Sequence, residues 1–169
     1  MRATVRVLAV SVILSMCLFA GTTSLPFVIA RLGAALPFRV YSTETIAAVA
    51  LEPDGRLVIH LTSRLLRYEN ADMLAFVYLH ELGHVRLGHL LPEGQQTHFF
   101  APSLWRVHAW RMEYEADEWA ARRLPRLGYD PGQGIELTFR VFGDGGGFTH
   151  PPDRARIDRI HNLATAPSH

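Results

Sequence analysis

Cysteine is all but absent from this chain of 169 residues; Cys17 is the only one. No intrachain disulfide is possible, and Cys17 lies in an apolar stretch, which excludes a thiol nucleophile. Lysine is missing altogether, a bias toward arginine from which no chemistry is read. A surplus of either charge is also missing, the formal net charge being +1. Beyond Ala30, fifteen Arg face sixteen Asp plus Glu, a net charge of −1. That balance offers no basic surface for nucleic acid, so no nucleic-acid partner is expected. No internal repeat is present.

Apolar length is what the N-terminus has in plenty. Arg2 and Arg6 precede an apolar run from Val7 to Ala20, Gly21 to Ser24 interrupt it, and Leu25 to Ala30 resume it. Taken as helix, the 24 residues from Val7 to Ala30 measure about 36 Å, enough to cross a bilayer. Ser15-Met16-Cys17 lacks the small residue of a lipoprotein site, and Leu18 disfavours a signal cut after Ala20. Residues 1–30 therefore read as an N-terminal membrane anchor or signal segment, and residues 31–169 as one domain. Arg2 and Arg6 against Arg31 and Arg39 nearly tie under the positive-inside rule. A signal-anchor orientation would place the domain outside the cytoplasm, and signal cleavage would make it secreted.

The domain has a readable order. Thr45 to Leu51 and Arg56 to Leu61 are short strand-like runs, and Glu52-Pro53-Asp54-Gly55 between them is turn chemistry, so a β-hairpin is expected. Asn70 can cap a helix from Ala71 to about Leu90. Pro92 to Pro102 reads as loop. Ser103 can cap a second helix, which Pro125 and Gly128 end. Pro131 starts a third helix to about Phe142, Gly143 to Gly147 form a flexible loop, and Asp153 to Leu163 form a last helix. The class is α+β, helix-dominated, with a β-hairpin ahead of the helix that carries the chemistry.

That chemistry begins with His80-Glu81-Leu82-Gly83-His84, an H-E-x-x-H pattern inside the first helix. With nine His and nine Glu in the chain, chance would supply such a match in roughly one case in forty. Residues four apart share a helix face, about 40° apart around the axis, so His80 and His84 stand side by side as two ligands of one zinc ion. Glu81 is turned about 100° from His80 and can reach a water at the open coordination position. A third ligand must come from elsewhere. His89 lies five residues after His84, about 140° round the helix, and is assigned to the surface or a second layer. Glu113 and Asp117 are i,i+4 on the second helix. Glu113 completes a two-His-plus-Glu zinc site, and Asp117 can accept a hydrogen bond from the outer N–H of a ligand His. Glu115 and Glu118 fall on other faces and need no special role.

Four segments occur in order: His80-Glu81-Leu82-Gly83-His84, Glu113-Tyr114-Glu115-Ala116-Asp117, Gly128-Tyr129-Asp130-Pro131, and Thr149-His150-Pro151 with Arg156-Ile157. Together they resemble the gluzincin metallopeptidases that include the CAAX prenyl endopeptidases and the HtpX-type membrane proteases. The resemblance covers roughly residues 45–163, and the chain looks like a minimal, single-domain version. It implies a small zincin-like fold, one Zn²⁺ per chain held by His80, His84 and Glu113, Glu81 as general base, and Asp117 behind the ligands. His150 is implied near the metal, as oxyanion stabiliser or switchable ligand. The implied activity is a zinc-dependent endopeptidase, with a peptide or protein substrate. His80 to His89 and Glu113 to Ala120 also resemble the ImmA/IrrE-type regulatory metallopeptidases. A non-catalytic metal- or partner-binding domain is the competing class; Glu81 argues against it, since a structural site needs ligands but no base.

Overall fold

The computed structural model describes residues 25–33, 36–42, 46–89, 102–143 and 145–165. Helix α1 spans Leu25–Arg31. Strands β1 (Phe38–Tyr41), β2 (Ala47–Leu51) and β3 (Leu57–Thr62) follow, then the single turn α2 (Ser63–Leu66). The long helices are α3 (Ala71–Arg86) and α4 (Pro102–Ala121). A 3₁₀ turn at Leu124–Leu127 leads to α5 (Pro131–Phe142) and α6 (Asp153–Thr165). This is a helix-dominated α+β arrangement with one small sheet.

The expected hairpin is present. β2 pairs antiparallel with β3 from Ala47↔Leu61 to Leu51↔Leu57. Gly55 closes the turn at φ 82, and its N–H donates to the Glu52 carbonyl at 2.9 Å. The sheet has a third strand that the sequence reading lacked. β1 lies parallel to β3, in register Phe38↔Ile59 to Tyr41↔Thr62, and the strand order is β1-β3-β2. Phe38-Arg39-Val40-Tyr41 is too short to show a period-two pattern of its own. Its partner is supplied only by the fold.

Helix α3 is the centre of the molecule. Asn70 caps it, its Oδ1 accepting from the Met73 N–H at 2.8 Å. Every residue from Met73 to His80 is buried, because α1, β2, α4 and α5 pack around it. A helix covered on all sides carries no polar stripe. It ends at Arg86, earlier than expected, in a Schellman arrangement. Gly88 takes φ 73, its N–H donates to Val85 and the His89 N–H donates to His84 at 2.9 Å. Helix α4 starts at Pro102, so Ser103 sits inside its first turn rather than capping it. The rest of the expected Pro92–Pro102 loop lies outside the described residues.

The expected anchor over residues 1–30 is corrected. Residues 1–24 lie outside the described residues. Among those described, no helix is long and apolar enough to cross a membrane. Leu25–Arg31 folds into seven-residue α1, whose Val28 and Ile29 are buried in the core beside α3. Part of the apolar character of that stretch is taken up by packing within the domain, while Phe27 stays 59% exposed. The expected anchoring, and the localisation argued from it, therefore lack support.

Candidate metal centre

Two helices bring the site together. Their approach is set where Gly83 of α3 meets Ala116 of α4: a Cβ built on Gly83 would stand 3.3 Å from both the Cα and the carbonyl oxygen of Ala116. The missing side chain lets the backbones close up, and Glu113 and Asp117 arrive opposite His80 and His84.

His80, His84 and Glu113 form one group, each offering a ligand atom within 4.8 Å of the others. Nε2 of His84 lies 3.0 Å from Nε2 of His80. The Glu113 carboxylate lies 3.6 Å from His80 Nε2 and 3.4 Å from His84 Nε2. For metal–ligand bonds of about 2.0–2.1 Å, the edge of a tetrahedron is about 3.3–3.4 Å. Two imidazole nitrogens cannot face each other at such a distance with bare lone pairs; a proton or a cation must lie between them. The donor set and its spacing thus fit a divalent metal ion, and the group could hold one.

Asp117 stands behind His80. The His80 Nδ1–H donates to Asp117 Oδ1 at 2.9 Å, the orientation expected for a metal-ligating ring. Asp117 is fully buried, and its charge is met by Arg156, a residue to which the sequence reading gave no role. The Arg156 guanidinium donates through Nε to Asp117 Oδ2 at 2.7 Å and through Nη2 to Oδ1 at 2.8 Å. Its Nη1 lies 3.1 Å from Glu113 Oε2. Arg156 therefore ties the third member of the metal group to the carboxylate that orients the first. The signal for it was Arg156-Ile157 after His150, visible as a motif but silent about the partner.

Burial opposes ionisation of Glu113 and Asp117. The hydrogen bond from His150 and the nearby positive charge of Arg156 outweigh it for Glu113, and the Arg156 charge outweighs it for Asp117, so both carboxyls titrate below their ordinary values. Glu81 behaves oppositely. It lines the same cleft, and burial pushes its carboxyl above the ordinary value. Burial also opposes a proton on His80, but the hydrogen bond to Asp117 and its charge more than offset this and raise the ring's proton affinity. A metal ion at Nε2 would compete with a proton there, which would tie affinity to pH.

The cleft holds about 370 Å³. His80, Glu81, Glu113 and Arg156 form its polar floor, and Phe76, Phe139 and Phe142 form an apolar wall. His150 stands at its mouth with its side chain 53% exposed and Nδ1 3.2 Å from Glu113 Oε2. Its loop is tethered more than its glycines suggest: the Trp110 Nε1–H donates to the Gly147 carbonyl at 3.2 Å, and the Gly145 N–H donates to Asp153 at 2.9 Å.

Three acidic or imidazole side chains outside the metal group make specific pairs. Glu118 is not a free solvated carboxylate but pairs with Arg159. His89 lies outside the metal group, in the second layer expected as one of its two places; its Nδ1 lies 3.1 Å from Nδ1 of His84. Glu115 lies 3.0 Å from the other nitrogen of His89. His89 reaches back to His84 because α3 stops at Arg86, before it. No family model, curated protein or solved structure matches this chain.

Proposed function

We propose that this chain is a zinc-dependent endopeptidase of the gluzincin type, with a minimal zincin-like fold. The observation that carries the reading is the convergence of His80 Nε2, His84 Nε2 and the Glu113 carboxylate in a cleft that Glu81 also lines. Two imidazoles and a carboxylate are a donor set suited to zinc, with room for a further ligand. When bound, zinc supplies a Lewis acid that polarises a peptide carbonyl and acidifies water.

The chain's own groups divide the remaining work. Glu81, with its raised proton affinity, takes the proton from the attacking water and returns it to the leaving amine. Asp117 holds the tautomer and ring plane of His80. His150, at the mouth with Nδ1 turned to Glu113, would donate to the developing oxyanion from its other ring nitrogen when protonated. Phe139 and Phe142, partly exposed along the cleft, offer a surface for an apolar side chain of the peptide.

The deciding experiment compares wild type with Glu81→Gln for zinc content and for cleavage of casein or a peptide library. The substitution leaves the three ligands in place. Zinc content should stay at the wild-type level while cleavage falls by about 10²–10⁴. Cleavage at the wild-type rate would abandon the catalytic reading in favour of a metal- or partner-binding domain.

A further inference from the structure

Behind His84 lies a second polar line that the proposed chemistry does not use. His84 turns Nε2 toward His80 and Glu113, and Nδ1 toward His89. His89 in turn places Nε2 3.0 Å from Glu115 Oε2. The side chain of His89 is 7% exposed and that of Glu115 is 47% exposed. The line therefore runs from the buried donor group, through a buried imidazole, to a carboxylate at the surface.

The backbone builds it. Gly88, in the left-handed region, reverses the chain at the end of α3, and the His89 N–H to His84 carbonyl bond folds residue 89 back over residue 84. Glu115 comes from α4, two residues from Glu113, so the same helix supplies a member of the metal group and the end of the line.

Proton positions along the line are forced from the outer end. An ionised Glu115 only accepts, so His89 must carry its proton on Nε2. A neutral His89 then presents a lone pair at Nδ1. His84 must donate to it from Nδ1, which leaves the His84 Nε2 lone pair free and aimed at His80 and Glu113. No other neutral arrangement satisfies all three groups. We infer that His89 and Glu115 are positioning residues for His84, fixing its tautomer and ring plane for the metal as Asp117 does for His80. The inference rests on the reading of His80, His84 and Glu113 as a metal group.

The test uses the full chain and Zn²⁺ itself, titrated against a chromophoric chelator. His89→Leu removes the acceptor and should weaken zinc binding by about 10–100-fold, the usual cost of losing such a partner. His89→Asn restores an acceptor facing His84 and should recover most of the affinity. In ¹⁵N-edited spectra of the zinc-loaded chain, a hydrogen-bonded His84 Nδ1–H should be resolved in wild type and His89→Asn, and lost in His89→Leu. Packing damage alone would not sort the variants by acceptor in this way. Should His89→Leu fail to fold, Glu115→Leu at the half-exposed end carries the test, with zinc affinity lowered by about tenfold. Wild-type affinity and an unchanged His84 signal in the folded His89→Leu or Glu115→Leu variant would overturn the inference and leave the metal reading standing. A wild-type chain that binds no zinc would overturn both.

Discussion

Arg156 is the residue on which the buried charges depend. It is 6% exposed, contacts Asp117 through two nitrogens and Glu113 through the third, and stacks over the Phe139 ring at 4.7 Å. Removing one partner of a buried ionic network leaves uncompensated charge and costs about 3–5 kcal/mol. Arg156→Met keeps the apolar bulk against Phe139 and abolishes the charge. Its destabilisation in urea should therefore be large without metal. Saturating zinc should shrink it, because a cation held by Glu113 replaces part of the lost counter-charge. An equal destabilisation with and without zinc would mean that Glu113 is not a ligand.

Among the elements, the α3–α4 contact decides whether a site exists at all. A Cβ at Gly83 would already meet the Ala116 backbone at 3.3 Å, and a branched side chain has no room. Gly83→Val should force the helices apart, at a cost of about 1–3 kcal/mol for overpacking. It should also weaken zinc binding more than a core substitution of similar destabilisation remote from α4, such as Leu65→Ala in α2. Zinc affinity and urea midpoints measured on both variants test this. Equal zinc affinities at matched stability would show that the close approach does not set the ligand geometry. Element ends tell the same story: one glycine, Gly88, stops α3 and brings His89 back as a partner of His84.

For the molecule as a whole, the start of the domain is the point most changed by the structure. Val28 and Ile29 are buried against the core, at 0% and 7% exposure. A chain beginning at Leu25 keeps every described core residue and should fold and bind zinc as the full chain does. A chain beginning at Arg31 loses both side chains, each worth about 1.5–3 kcal/mol when buried. Its urea midpoint should drop well below that of the Leu25 chain. Identical midpoints would show that α1 is an ornament on a domain complete without it.

Local chemistry made several features legible in the sequence alone. The Asn70 cap, the Glu52–Gly55 turn and the side-by-side placing of His80 with His84 depend on residues within a few positions of one another. Helix and turn geometry then leave little choice. The shared face of Glu113 and Asp117 follows from the same 3.6-residue period. What lay beyond reach were pairings across the chain. Glu113 could be named as the partner of His80 and His84 from its residue type and motif, but only packing could lay β1 beside β3 or aim Arg156 at two carboxylates. No periodicity encodes which buried charge meets which. Val28 and Ile29 show the limit most clearly, because hydrophobicity states that a side chain must leave water, and only the tertiary structure shows that a protein core receives these two.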